Sequence, residues 1–227
     1  VRAEWQGWPG RGLTVSIGPE EVQWLTADVS QSGGVLVRKV VRQGLVCFNY
    51  KPDTPVKWFS ESAAMRESFY GKFIIWHGYN WWKKQQLASL RRDCRGLVIG
   101  EGGIVLARPV QKFFILRVLG VMPDSGVGWQ QVVTVTEKLD GEMMVGLMLD
   151  GRAELWSRAG WSEQAKSATR HAASSGGLLE LVTEVCTRGG SPTFEYIGRQ
   201  SWVKIKYKQT QLVLVAVRDR NTGALWK

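Results

Sequence analysis

Histidine and cysteine are scarce in this chain. Its 227 residues hold two histidines, His77 and His171, and three scattered cysteines, Cys47, Cys94 and Cys186. No C-x-x-C and no H-E-x-x-H occurs, which argues against a zinc site. A sparse, odd cysteine count does not build a disulfide framework; it fits a reducing intracellular compartment, with cytoplasm and mitochondrion both open. A mechanism that uses histidine as its base has few candidates. No run approaches the ~20 apolar residues of a membrane-spanning helix, so an integral membrane protein is excluded and no membrane partner is expected. Internal repeats and low-complexity tracts are missing too. Charged residues at 22% and hydrophobic ones at 44% leave no case for global disorder.

Acid is in deficit. Thirty Lys and Arg against twenty Asp and Glu give a formal charge of +10 at pH 7. Such an excess points to a polyanionic partner, most simply a nucleic acid or a nucleotide. Twelve tryptophans are a heavy load for this length. Packing accounts for most of them; stacking of a few on bases is the functional alternative. The basic stretches Arg38–Arg42 and Lys83-Lys84 are read the same two ways, as solvated surface or as surface facing RNA.

Residues 1–35 show poor periodicity and read as an extended arm or a short strand pair. Val35–Tyr50 reads as two strands around Gln43-Gly44, and Lys51–Pro55 as a loop. Ser60–Tyr70 and Trp82–Arg92 read as helices; Arg91-Arg92 suits the second helix's C-terminus. From Cys94 onward the pattern turns to β. Gly96–Gly100 and Ile104–Arg108 flank the turn Glu101-Gly102-Gly103, and Val132–Lys138 alternates apolar with polar residues. Met143–Leu149 and Arg152–Arg158 flank Asp150-Gly151, a strong two-residue hairpin turn. Ser162–Ser174 and Leu178–Thr187 read as helices broken at Gly176-Gly177. Thr193–Ile197, Trp202–Tyr207 and Leu212–Arg218 read as strands, before a turn at Asn221-Thr222-Gly223. The sum predicts an α+β fold of mostly antiparallel sheets flanked by helices.

The chemically informative stretch is Glu137–Met144, EKLDGEMM. Lys138 sits at the predicted end of one strand, and Asp140-Gly141 turns the chain into the next. A lysine there can be held rigidly, and its amine becomes a nucleophile when desolvation or neighbouring cations lower its pKa. Gly141 permits a sharp turn. Alone, K-x-D-G is a common β-turn sequence. Other pieces accompany it in order: Asp93-Cys94-Arg95-Gly96-Leu97-Val98-Ile99, then Arg108-Pro109-Val110-Gln111-Lys112-Phe113-Phe114, then Ser157-Arg158-Ala159-Gly160, then Thr193-Phe194-Glu195-Tyr196.

This order resembles the covalent nucleotidyltransferase superfamily of ATP-dependent ligases and capping enzymes. Within it, the pattern is most similar to the phage-type RNA ligases that repair tRNA breaks. The likeness runs from about Asp93 to about Gly223, with residues 91–227 as the nucleotidyltransferase core and 1–90 as its N-terminal part. The resemblance implies a nucleotidyltransferase fold and an ATP-dependent RNA ligase. Lys138 would form a lysyl–AMP intermediate, pass AMP to an RNA 5′-phosphate, and so allow a 3′-hydroxyl to seal the break. Arg95 and Lys112 match positions that contact the nucleotide and its phosphates. Phe113 or Phe114 would pack on the nucleotide, and Glu137 would read the adenine. Asp140 and Gly141 belong to the same nucleotide site. Glu195 would hold the ribose or bind metal, Mg²⁺ or Mn²⁺.

The sequence also departs from the pattern. A metal-binding E-G strand and a phosphate-gripping K-x-K strand are expected after Glu195, and neither follows before Lys227. Lys204-Ile205-Lys206 has the form of the second but stands too early, and reads as a basic strand. Glu142 places an acid where a triphosphate gains nothing from one. Two explanations compete: the chain is a fragment whose missing part supplies these strands, or it is a catalytically degenerate, ligase-like RNA-binding or scaffold subunit of a ribonucleoprotein assembly; further off stand a GTP-using capping enzyme and a DNA ligase.

Overall fold

Sheets that are buried on both faces need apolar residues at nearly every strand position, and the central strands of this chain have them. A computed structural model describes residues 16–31, 36–40, 44–54, 59, 81–112, 136–199 and 204–226; for 30–31, 36–40 and 81–85 it describes the backbone alone. Phe113, Phe114 and the predicted helix Ser60–Tyr70 lie outside these residues, as do the side chains of Arg38–Arg42 and of Lys83 and Lys84. Among the described residues there are four α-helices and two four-stranded antiparallel sheets, which makes the fold α+β.

The first sheet is a meander of β1 (Leu36–Val40), β2 (Val46–Tyr50), β3 (Arg95–Ile99) and β4 (Val105–Ala107), in that spatial order. The Glu101-Gly102-Gly103 turn joins β3 to β4 as a 3-10 turn, with Gly102 and Gly103 at positive φ, as its composition predicts. The second sheet has the order β6-β5-β7-β8, from β5 (Glu142–Leu149), β6 (Arg152–Ser157), β7 (Gly190–Ile197) and β8 (Gln211–Asp219). Asp150 and Gly151 both take positive φ, 49° and 73°, the signature of the primed turn that their sequence announces.

Alternation assigns the strand faces. Leu97 and Ile99 pack with Phe48, Leu25 and Leu90, against helices α1 (Pro19–Gln31) and α2 (Trp81–Asp93). Val98 points the other way and joins Leu45, Cys47 and Ala107 against Val145, Leu147 and Trp156 of the second sheet. That sheet's far face, with Met144, Leu155, Phe194 and Tyr196, is covered by α3 (Glu163–Ser174) and α4 (Leu178–Thr187). The layers run helix, sheet, sheet, helix. The Ser162 hydroxyl caps α3 by accepting the Ala165 N–H at 3.2 Å, and Ala165, Ala168 and Ala172 form its buried stripe.

Apart from the segment of Lys138, two expectations fail. Within residues 1–35, Pro19–Gln31 is a helix rather than an extended arm. Glu21 stands where a helix start favours an acid, and its carboxylate accepts the Gly18 N–H at 2.9 Å, but the weak periodicity hides this. The buried residue that matters is Asp28, 2% exposed, paired with the fully buried Arg91 at 2.7 Å. Arg91 therefore ties α2 to α1 instead of facing solvent at a helix end. The second failure is Trp202–Tyr207. Its described part, from Lys204 on, is a loop, because the carboxylate of Asp140 takes the backbone N–H groups of Lys204 and Ile205 that a ladder would need.

Candidate functional site

The site is built where β7 and the entry to β5 meet the end of the first sheet. Residues 136–140 carry no regular structure, so Lys138 stands two residues outside a turn rather than at the end of a described strand. Lys138 and Glu137 are both exposed. Asp140 and Gly141, by contrast, are tightly fixed. The Gly141 N–H donates to Glu195 Oε1 at 3.0 Å, and the Asp140 N–H donates to the Tyr207 hydroxyl at 2.9 Å. Asp140 Oδ2 accepts from the amides of Lys204 and, at 2.6 Å, Ile205. At Gly141 a Cβ would run into the Tyr196 carbonyl, so only glycine lets these two strands approach so closely. The lysine is thus tethered to β7 through Gly141 and to the 204–207 loop through Asp140.

Lys112 arrives by a different route. The segment after β4 is stitched down at nearly every residue. The Arg108 and Val110 amides donate to the hydroxyls of Ser191 at 2.8 Å and Thr193 at 3.3 Å, both on β7. The Lys112 amide donates to the Arg92 carbonyl at 2.9 Å. Arg108 itself is a buried structural residue. Its guanidinium meets Asp93 at 2.6 Å, and Arg218 meets the other oxygen of Asp93 at 2.7 Å. Burial pushes the Asp93 carboxyl up, but the two guanidiniums outweigh it and hold it below its ordinary range. The Arg and the Lys of the R-P-x-x-K segment therefore differ in role: one anchors, and the other is delivered.

Lys112 Nζ lies 5.6 Å from the centre of the Tyr50 ring, and Arg158 Cζ lies 5.4 Å from it. Arg95 completes the group. Burial lowers the Arg95 pKa, opposed by Tyr50 and Glu195 and aided by Arg158. Burial lowers the Lys112 pKa as well, and Arg95 and Arg158 add to that by like-charge repulsion. Burial raises the Tyr50 phenol against the pull of Arg95 and Arg158. Arg158 sits at the tip of a tight turn closed by reciprocal Ser157–Gly160 backbone bonds of 3.0 and 2.9 Å. Gly96, at φ +96°, leaves room for that turn: a Cβ there would stand 3.1 Å from Arg158 Cα. The Arg-Gly pair is one device, in which the arginine joins the cluster and the glycine admits its neighbour.

Two half-buried carboxylates face these cations. Glu195 is raised by burial, against its Gly141 bond, Arg95 and Lys138. Glu142 is raised by burial and by Glu195, against Arg158. The structure thus brings together Arg95, Lys112, Lys138, Asp140, Gly141 and Glu195. Glu137 is exposed beside the equally exposed Lys138, and Phe113 and Phe114 lie outside the described residues. Sequence reasoning missed Tyr50 altogether, placed Arg158 at a strand end within the ordered motifs without giving it a role, and set Glu142 aside. Glu142 in fact lies within electrostatic reach of Glu195 and Arg158. The signal for Arg158 was there in the Ser157–Gly160 spacing; Tyr50 had none, since it reads as an ordinary strand aromatic. Among the described residues no group of three or more His, Cys, Asp or Glu could hold a metal, and no helix is long and apolar enough to cross a membrane.

Fold and site together define an α+β protein of two stacked antiparallel sheets with a lysine held beside a cluster of cations and two carboxylates. Over 138 residues the chain is 29% identical to a protein of Thermovibrio ammonificans named "Putative RNA ligase". That match covers 59% of this chain but 36% of the relative, so the chain spans about a third of that protein's length. No protein-family model matches the chain.

Proposed function

We propose that this chain carries the nucleotidyl-transfer site of an ATP-dependent RNA ligase, with Lys138 as the residue that becomes adenylylated. The observation that carries the reading is the convergence of Arg95, Lys112 and Arg158 on Tyr50, next to a K-x-D-G lysine whose Asp and Gly are both pinned. Cations pressed together against their mutual repulsion are the arrangement a triphosphate stabilises. The likeness to a protein named for RNA ligation agrees with it.

In this reading the Lys138 amine attacks the α-phosphorus of ATP. A P–N bond forms as the P–O bond to pyrophosphate breaks, and the amine's proton goes to solvent. Arg95, Lys112 and Arg158 stabilise charge on the phosphate oxygens. An oxygen of an RNA 5′-phosphate then displaces Lys138 and takes the AMP. A 3′-hydroxyl finally attacks the 5′-phosphorus, forming the phosphodiester and releasing AMP. A divalent ion, Mg²⁺ or Mn²⁺, would neutralise phosphate charge. Glu195 suits it, since Oε1 is held by Gly141 and no bond to Oε2 occurs among the described residues; Glu142 is the second candidate. One or two carboxylates plus phosphates and waters are what Mg²⁺ ordinarily takes.

The test is intact mass after incubation with ATP and Mg²⁺ or Mn²⁺. One covalent AMP is expected, absent in Lys138→Ala. A folded chain that forms no adduct would overturn the catalytic reading and leave the scaffold alternative.

A further inference from the structure

The loop after β7 has a construction that nucleotidyl transfer to Lys138 does not itself require. Asp140, two residues from Lys138, spends one carboxylate oxygen on the amides of Lys204 and Ile205. The Tyr207 hydroxyl accepts the Asp140 amide in return. Gly198 closes the base of the loop, where a Cβ would lie 2.6 Å from Thr210 Oγ1. The result is a loop clamped on the Lys138 strand entry while its side chains remain outside. Lys204 and Lys208 are exposed, Ile205 is 47% exposed, and Tyr207 is half-buried. Cations interleaved with apolar and aromatic groups are the composition of a single-strand binding surface, where charge tracks the backbone and flat or apolar groups meet the bases.

We propose that the Lys204–Lys208 loop is a binding surface for single-stranded RNA, latched by Asp140 so that a bound strand's end lies at Lys138. Which end is presented rests on the nucleotidyl-transfer reading above; the binding itself does not. The loop's lysines contact the strand rather than ATP, so they matter for RNA and not for the first chemical step. Asp140 acts as a positioning residue, through the two amides that it holds.

The experiment compares the full chain with Lys204→Ala/Lys208→Ala and with the charge-reversed Lys204→Glu/Lys208→Glu. Both positions are exposed, so the fold is retained. Binding of a 5′-phosphorylated single-stranded RNA oligonucleotide is followed by fluorescence anisotropy across a salt series, and AMP adduct by intact mass. The Ala pair should weaken binding and make the slope of log affinity against log salt shallower by about 1.4, two single-strand phosphate contacts' worth. The Glu pair should weaken it further. Adduct yield should stay at the parent level in both. Unchanged affinity and salt slope would overturn the proposal. So would adduct loss at unchanged RNA affinity, which would assign the lysines to ATP. If an acidic peptide binds with the same lysine dependence while RNA does not, the loop is a protein-docking surface instead. A parent chain that binds RNA through these lysines but forms no adduct would sink the ligase reading and leave this one standing.

Discussion

At Gly141 there is no room for a side chain. A Cβ would overlap the Tyr196 carbonyl and sit 2.7 Å from Ile197 Cγ2, on backbone that cannot retreat without parting β5 from β7. Gly141→Ala should therefore cost about 1–3 kcal/mol, the range of overpacking, read from the urea midpoint. It should also cut AMP adduct yield in protein that remains folded, because it moves the tether of Lys138. Glu195 makes the opposite kind of prediction. Burial raises its pKa, so the folded state holds its proton more tightly than the unfolded chain does. The contribution to stability then rises as pH falls from the folded pKa towards the unfolded value of about 4.3. Glu195→Gln should raise the Tm modestly at pH 7, flatten that part of the pH profile, and abolish metal-dependent adduct formation, a trade of activity for stability. The Gly141 N–H still finds an oxygen in the glutamine. A Tm that falls at pH 7 would show that Arg95 and Lys138 favour the carboxylate more than burial disfavours it. At this scale the K-x-D-G sequence marked a stretch that the fold pins down. It could not say that Asp and Gly serve different neighbours, since those partners lie 54 to 67 residues away in sequence.

Between elements, one buried ionic node holds the second sheet to α2 and to the chain leaving β4. Asp93 ends α2, Arg108 follows β4, and Arg218 lies near the end of β8; all are 4% exposed or less. Arg218 Nε also donates to the Gly223 carbonyl at 2.8 Å, and Arg108 to that of Asn221 at 2.7 Å, so the terminal turn is part of the node. Removing one member leaves buried charge uncompensated. Asp93→Ala should cost roughly 3–5 kcal/mol, measured by denaturant unfolding, far more than loss of the exposed Lys166–Glu163 pair. Because the folded pKa of Asp93 is depressed, its contribution is fully present above the unfolded value of about 3.9 and is lost as pH falls through the folded pKa. Acid unfolding should accordingly set in only once pH falls towards the depressed pKa of Asp93, since Glu142 and Glu195, both raised by burial, add stability as they take up protons; the Asp93 variant should lose that acid-limb transition. Element types were legible where local chemistry decides them: the Asp150-Gly151 turn, the Ser162 cap, the glycine-rich turn between β3 and β4. They were not legible where a distant partner decides, as with Asp28 drawing Pro19–Gln31 onto α2 through Arg91 or Asp140 holding 204–205 out of a strand.

In the whole molecule the two sheets share one core layer, and this has a consequence for how the site survives. Cys47 and Val98 of the first sheet meet Val145, Leu147 and Trp156 of the second, all of them within 2% of full burial. The cation cluster straddles the same junction, with Tyr50 and Arg95 on one sheet and Arg158 and Glu195 on or beside strands of the other. Neither sheet can slide or open alone without exposing the layer and dispersing the cations. The apolar runs in β3 and β5 announced burial on both faces, but no sequence pattern announced that these faces meet each other. If the junction is the unit of stability, damage to it on one side must be felt on the other. Leu147→Ala should cost about 2–5 kcal/mol, as large-to-small changes in a packed core do. Hydrogen-exchange protection should fall by similar amounts in β2–β3 and in β5–β7 rather than in the mutated sheet alone. Loss confined to the second sheet would mean that the sheets unfold independently. The Lys138 segment and the Tyr50 cluster would then come together only while two separate units happen to be docked.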